Sequence, residues 1–240
     1  MAKTISLPTG LVIIPAHNEA HDVGQVVRAV RRHCDCPVLV VDDLSTDGTI
    51  AEARRAGARV IPLAVQLGAW GAIQTGLRYA QANGYQHAIT MDADGQHEAA
   101  SLPDLIQPII DGQADVTIGT CTRRGSRLRK VAWALMKKVS GLTPEDLTSG
   151  FRVYDRLAIE TLASWHGTLL EYQDVGVLFL LQSRKLKIRD VEVTMQPRRS
   201  GISRIFYSWF SVIYYMSYTL LLSITKRNLS GRHLRPDSEV

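Results

Sequence analysis

Cysteine is scarce in this chain: Cys34, Cys36 and Cys121 are the only three in 240 residues. An odd count with a C-x-C spacing fits neither a disulfide framework nor the C-x-x-C of zinc and redox modules, so reduced cytosolic thiols are expected. The opening Met1-Ala2-Lys3-Thr4-Ile5-Ser6 lacks the apolar core of a signal peptide, and export is not expected. A strong charge of one sign is missing too. Lys and Arg number 28 against 23 Asp and Glu, and the net charge of +5 suits an anionic substrate or membrane surface. It is too weak to indicate nucleic acid, and no RNP, zinc-finger or helix-turn-helix pattern is present. No G-x-G-x-x-G follows the first apolar run, which excludes a dinucleotide dehydrogenase. The Gly-rich, Arg/Lys-bearing phosphate loop of a nucleotidyltransferase is also missing near the N-terminus. Repeats, low-complexity segments and clear domain linkers are absent.

What is present alternates. Leu11–Ile14, Val38–Val41, Arg59–Ile61, Ala88–Met91 and Val116–Ile118 are short, nearly continuous apolar runs. That character predicts strands of a parallel sheet covered on both faces. Between them lie amphipathic stripes. Val23, Val26, Val27 and Val30 recur at helical spacing, and Leu102, Leu105, Ile106, Ile109 and Ile110 follow a Ser101-x-x-Asp104 capping box. The alternation predicts an α/β fold with an open, doubly wound, mostly parallel sheet, whose ligands bind beyond the strands' carboxyl ends. Past residue 120 the pattern loosens. Arg123, Arg124, Arg127, Arg129 and Lys130 form a basic loop leading into a helix through Trp133 and Leu135. Asp146–Arg152 is turn-rich, Glu171–Leu181 is a predicted helix and Ile188–Met195 a predicted strand.

The most informative segment is Met91-Asp92-Ala93-Asp94-Gly95-Gln96-His97. Two carboxylates at a strand's end, with Gly95 to turn the chain, form a hard-oxygen site suited to Mg²⁺ or Mn²⁺. An EF-hand is excluded, because its twelfth position is Pro103 where a bidentate Glu is required. His97 is expected as a hydrogen-bonding neighbour rather than a ligand. Pro15-Ala16-His17-Asn18-Glu19 follows the first strand and Asp42-Asp43 the second, so three polar clusters fall at one sheet edge. Asp42 and Asp43, with Ser45 and Thr46, could alternatively cap the next helix.

In order along the chain stand Pro15-Ala-His-Asn-Glu19, Val41-Asp-Asp-Leu-Ser-Thr-Asp-Gly-Thr49, Met91–His97, Thr148-Ser-Gly-Phe-Arg152 and Arg198-x-x-Gly201-x-Ser203. With these motifs the chain resembles family 2 glycosyltransferases of the GT-A fold, most closely the polyprenyl-phosphate (dolichol-phosphate) mannosyl- and glucosyltransferase branch. The resemblance implies that Pro15, His17, Glu19, Asp42, Asp43 and Gly71 line the nucleotide-sugar pocket. His17 stands where an aromatic Tyr is common. Asp92, Asp94 and Gln96 would surround the metal at the donor's diphosphate. Arg123, Arg152 and Arg198 would bind anionic groups, with Ser203 on the loop closing over the site. Gln66-Leu-Gly-Ala-Trp-Gly71 keeps the family's glycine spacing but not its amide.

The implied reaction is inverting, metal-dependent transfer of a hexose from a nucleotide-diphosphate sugar to a polyprenyl phosphate. A lipid phosphate is already anionic and needs arginine rather than a strong base. A lipid-linked glycan or polysaccharide hydroxyl would instead need a carboxylate base, for which Asp146, Glu171 and Asp174 are the candidates, while Asp94 is catalytic as the principal metal ligand. A sugar-nucleotide-binding subunit without catalysis is a third reading. Ile205–Thr225 is the one long uncharged stretch, about 31 Å as a helix. Its Ser and Tyr side chains recur on one side and its large apolar residues on another. That pattern predicts an amphipathic helix lying on the membrane rather than a span. The expected organisation is a catalytic domain over 1–204, this helix over 205–226 and a basic polar tail over 227–240. It would act as a peripheral enzyme on the inner face of the cell membrane.

Overall fold

The computed structural model describes residues 5–121, 149–170 and 175–196. All of them belong to one compact unit. The expected helix at 205–226, the tail, the basic loop and its following helix lie outside the described residues.

Strands β1 (Gly10–Ala16), β2 (Val38–Asp42), β3 (Arg59–Pro62), β4 (His87–Thr90) and β5 (Val116–Thr120) fall where the apolar runs predicted them. A sixth, β6 (Arg152–Tyr154), begins at the last residue of the stretch expected to be turns, and β7 spans Ile188–Glu192. The sheet order is β3-β2-β1-β4-β6-β5-β7. Strands β1 to β4 run parallel, whereas β6 pairs antiparallel with both β4 and β5. A three-residue strand is too short to show a period, and its apolar neighbours carry the pairing. Strand β7 ends earlier than predicted, but Met195 still makes a single antiparallel bridge to His97.

Helix α1 (Val23–His33) buries the predicted valine stripe. Together with α4 (Leu102–Ile110) it covers one sheet face, packing on Val12, Ile14, Val40, Ile89 and Val153. Helix α3 (Gly68–Ala82) covers the other face, where Gly76 meets Ile13 so closely that an added Cβ would lie 2.4 Å from Ile13 Cγ2. Three donors one turn apart on α3 then hold the short helices α5 (Arg156–Ala163) and α6 (Trp165–Thr168). Trp70 Nε1 donates to Gly167 O, Gln74 Nε2 to Leu162 O and Arg78 Nε to Ala163 O. These carbonyls stand in the last turns of α5 and α6, where the helix offers carbonyls few partners of its own. Helix α2 (Thr49–Arg55) follows β2, and α7 (Val175–Ser183) begins inside the helix predicted from Glu171; residues 171–174 lie outside the described residues.

Two local expectations are corrected. Ser101 does not form the capping box. It sits in a 3₁₀ turn (Ala99–Ser101) with helical φ −82° and ψ −6° and accepts no cap hydrogen bond, since a capping hydroxyl needs extended backbone at that position. Cys34 and Cys36, expected as free thiols, are buried and paired with each other, with Cα atoms 5.2 Å apart. Among the described residues no helix is long and apolar enough to cross a membrane.

Candidate active site

The chain leaves β1 toward β2 on one side, then returns through α3 to β4 on the other. This makes the carboxyl end of β1 a topological switch point, where a crevice opens in sheets of this kind. The ladder between β1 and β4 stops at Ile13 and Thr90, while that between β1 and β2 continues to Ala16 and Asp42. Pro15 lies just past the end of the β4 ladder, so its missing N–H leaves no β4 carbonyl unpaired. Every predicted cluster that is described lies at this edge.

The loops after β1 and β2 are stitched together. His17 Nδ1 donates to Asp43 O at 2.7 Å. A carbonyl oxygen only accepts, so the Nδ1 carries the proton and Nε2 keeps a lone pair. That lone pair faces the amide nitrogens of Asn18 (3.3 Å) and Gln66 (3.4 Å). Asn18, at φ 55°, donates its N–H to Ser45 Oγ and accepts from Thr46 N, while Glu19 N donates to Thr49 Oγ1 and Ala20 N to Asp47 Oδ2. Burial works to raise the Asp47 carboxyl, but hydrogen bonds from Thr49 and Ala20 outweigh it and hold it below the ordinary Asp value.

The capping role offered as the alternative for the Asp42-Asp43 pair falls to another residue. Asp42 Oδ2 accepts Ser45 N at 3.0 Å, and its buried Oδ1 has no partner among the described residues. Asp43, only 3% exposed, reaches across to α3: its Oδ1 accepts Leu67 N at 2.6 Å and its Oδ2 accepts Gly68 N at 2.9 Å. It is Asp47 that accepts the Thr49 N–H at the start of α2. Gly71 follows one turn into α3, where an added Cβ would meet Leu67 Cβ at 2.4 Å.

The acidic pair follows β4. Asp94 is tied to Gln96 twice, its Oδ1 accepting the backbone N–H at 3.0 Å and its Oδ2 the side-chain amide at 2.6 Å. Asp92 is the more open of the two, its side chain 45% exposed. Behind it stands Gly150: an added Cβ there would lie 2.7 Å from Asp92 Oδ1. The missing side chain is thus the space that the carboxylate fills. Thr90 Oγ1 holds this turn by donating to Gly150 O at 2.8 Å. His97, 7% exposed, stacks on Phe151 with ring centroids 5.0 Å apart and accepts the Asp92 N–H on Nδ1.

These residues fit a hard divalent cation. Two carboxylates and the Gln96 amide supply oxygen donors, and no cluster of three or more His, Cys, Asp or Glu among the described residues is placed to enclose an ion alone. An ion held by so few protein ligands completes its shell with water and phosphate oxygens.

Arg152, expected to bind an anionic group, stands at the sheet edge that carries these clusters. It opens β6 opposite Thr90, is fully buried, and its Nε donates to Ser149 O at 2.8 Å. Its described contact braces the turn behind Asp92. Asp146, Glu171, Asp174, Arg123, Arg198 and Ser203 lie outside the described residues. His97 is the hydrogen-bonding neighbour expected, with Asp92 as its partner, whereas two features went unread in the sequence: the Asp43 link to α3 and the Gly150 cradle. Only Gly150 carried a signal, as the glycine of Thr148-Ser-Gly-Phe-Arg152.

The glycosyl transferase family 2 model matches residues 11–162, more than half of the chain. Among similar proteins, the undecaprenyl-phosphate mannosyltransferase of Micrococcus luteus is 30% identical over 213 residues, covering 81% of this chain and 86% of that one. The polyprenol monophosphomannose synthase of Mycolicibacterium smegmatis is 29% identical over 220 residues, covering 81% and 80%. The solved glucosyl-3-phosphoglycerate synthase of Mycobacterium tuberculosis, in complex with Mn²⁺, uridine diphosphate and phosphoglyceric acid, superposes with a TM-score of 0.70. Its identity is 22%, covering 96% of this chain and 80% of that one, a likeness of fold. The same enzyme has been solved with Mg²⁺ and uridine diphosphate. A switch-point crevice lined by carboxylates, the family match and the fold agree: the chain belongs to glycosyl transferase family 2 and is a glycosyltransferase with the GT-A fold.

Proposed function

We propose that this glycosyltransferase moves a hexose, with inversion, from a nucleotide-diphosphate sugar to a polyprenyl phosphate at the cytosolic membrane face. The observation that carries the reading is the pair Asp92 and Asp94 at the switch point, in a chain that is similar to polyprenyl-phosphate sugar transferases across most of its length. Asp92, Asp94 and Gln96 hold Mg²⁺ or Mn²⁺. Bound there, the ion supplies Lewis-acid neutralisation of charge on the departing diphosphate.

The other residues bind and orient. Pro15, His17, Glu19 and Gly71 line the nucleotide pocket, with the tautomer of His17 set by Asp43 O. Asp43 fixes the start of α3 beneath that pocket, and the unpartnered Oδ1 of Asp42 supports a place for it beside the nucleotide. The lipid phosphate attacks as an anion, so no side chain has to remove a proton. Positive charge is needed to hold it, and Arg123 and Arg198 are assigned that task. Their anchors support this, since Cys121 leaves β5 and Gln196 docks on the metal loop at the same edge, Gln196 N donating to Gln96 O at 2.8 Å. The helix over 205–226 is assigned to the membrane surface, beyond a catalytic domain over 1–204.

Purified protein in detergent, given a panel of nucleotide sugars with polyprenyl phosphate, is expected to release nucleoside diphosphate and form a charged lipid. Transfer to a neutral glycan hydroxyl, with lipid phosphate ignored, would replace this reading by the polysaccharide one and assign the base to Asp146, Glu171 or Asp174.

A further inference from the structure

Among the described residues, Gly150 and His97 flank the Asp92 carboxylate. Gly150 closes one side. On the other is His97, whose Nδ1 accepts the Asp92 N–H at 3.3 Å and whose Nε2 lies 3.7 Å from Asp92 Oδ2. The first contact decides the second. A ring nitrogen that accepts has its lone pair in use, so in the neutral ring the proton sits on Nε2, facing the carboxylate. At 3.7 Å this is longer than a hydrogen bond, yet the N–H dipole still favours the carboxylate oxygen turned toward it.

The ring itself has little freedom. It is 93% buried and stacks on Phe151 at an interplanar angle of 18°. The His97 backbone bridges Met195, and on either side of it Gln96 O accepts Gln196 N and Glu98 Oε1 accepts Gln196 Nε2. A half-exposed carboxylate on its own samples several rotamers, and ordering it lowers the entropy lost on ligand binding.

We infer that His97 is a positioning residue, presenting Asp92 to the divalent cation in one rotamer through its Nε2–H while its Nδ1 pins the Asp92 backbone. The inference rests on the reading of Asp92 as a metal ligand. Groups that orient metal ligands in this way change affinity by roughly 10- to 100-fold when removed.

The test separates orientation from packing. His97→Phe keeps a ring against Phe151 but removes both nitrogens. His97→Gln brings an amide nitrogen near the Nε2 position, and His97→Asn an amide oxygen near the Nδ1 position. Mn²⁺ binding in the presence of uridine diphosphate is followed by the paramagnetic resonance of free Mn²⁺, alongside kcat and KM. His97→Phe is expected to weaken Mn²⁺ binding about 10-fold or more, with kcat largely restored at saturating Mn²⁺. His97→Gln should recover more affinity than His97→Asn. Unchanged Mn²⁺ affinity in His97→Phe would overturn the inference, as would equal weakening in all three variants, which marks a packing role. Should His97→Phe fail to fold, the order of the Gln and Asn variants decides. Wild-type protein that binds no Mn²⁺ at all would overturn the metal reading itself, and this inference with it.

Discussion

The carboxylate of Asp43 accepts the backbone N–H of Leu67 at 2.6 Å, across 24 residues of sequence. With Gly68 N on its other oxygen, it closes the N-terminus of α3, where unpaired N–H groups and the helix dipole both favour a negative charge. A residue expected to contact nucleotide, with capping of the helix after β2 as the alternative, thus fixes the start of α3. Asp43→Asn replaces one acceptor by an N–H₂ that must face another N–H. The expected result is a loss of about 1–2 kcal/mol of stability together with weaker uridine diphosphate binding. Chemical denaturation and calorimetric titration check the two halves.

Gly150→Ala places a methyl group 2.7 Å from Asp92 Oδ1. The carboxylate, half exposed, has room to swing away, so the fold should survive and the site should not. Turnover is expected to fall at least about 10-fold, equivalent to ~1.4 kcal/mol in the barrier, with little change in thermal midpoint. Steady-state kinetics beside a thermal melt reads both.

Gly76→Ala has the reverse profile. Its methyl would lie 2.4 Å from Ile13 Cγ2, in a fully buried contact between α3 and β1 that has no route of escape. Overpacking of this kind costs about 1–3 kcal/mol. A lower denaturation midpoint, with residual activity in the protein that remains folded, is the expected outcome.

These contacts mark what the sequence made legible. Strands β1, β2, β4 and β5 declared themselves as continuous apolar runs because nearly every residue in them is buried, and the stripes of α1 and α4 because a buried face repeats at helical period. The edge carrying the site followed from them, since turns after parallel strands must gather at one end. The third face of the problem was hidden. Arg152 carries a full charge into the centre of the sheet on a three-residue strand, and no local pattern announces an antiparallel insertion of that length. The bonds from Asp43 to α3 and from His97 to Asp92 join a side chain to a backbone group, and backbone groups leave no mark in a sequence. Cys34 and Cys36 likewise meet in the short connection between the end of α1 and the start of β2, which spacing alone does not reveal.

At the opposite end of the sheet, burial pushes the His87 imidazole below its ordinary value against the opposing pull of Asp155. Burial also raises the Asp155 carboxyl, with Asp115 adding to the rise. In the unfolded chain His87 takes up its proton near pH 6.5, while in the native protein it does so at lower pH. Its contribution to stability is therefore present above pH 6.5 and lost as the pH falls through the native value. Asp155 has the opposite sign, because the native form takes up its proton first, at a pH above 3.8. Urea unfolding at pH 7.5 and roughly 5.5 should show wild type losing stability on acidification, and His87→Gln losing less. Equal losses would remove His87 from the account.

The most direct test of the central claim is transfer of a radiolabelled hexose from its nucleotide donor to polyprenyl phosphate, run with Mn²⁺ or Mg²⁺ and again in excess EDTA, for wild type and Asp94→Ala. The account predicts labelled lipid only with metal, and a fall for Asp94→Ala on the order of 10³-fold, about 4 kcal/mol in the barrier. Full transfer in EDTA, or by Asp94→Ala, would contradict it.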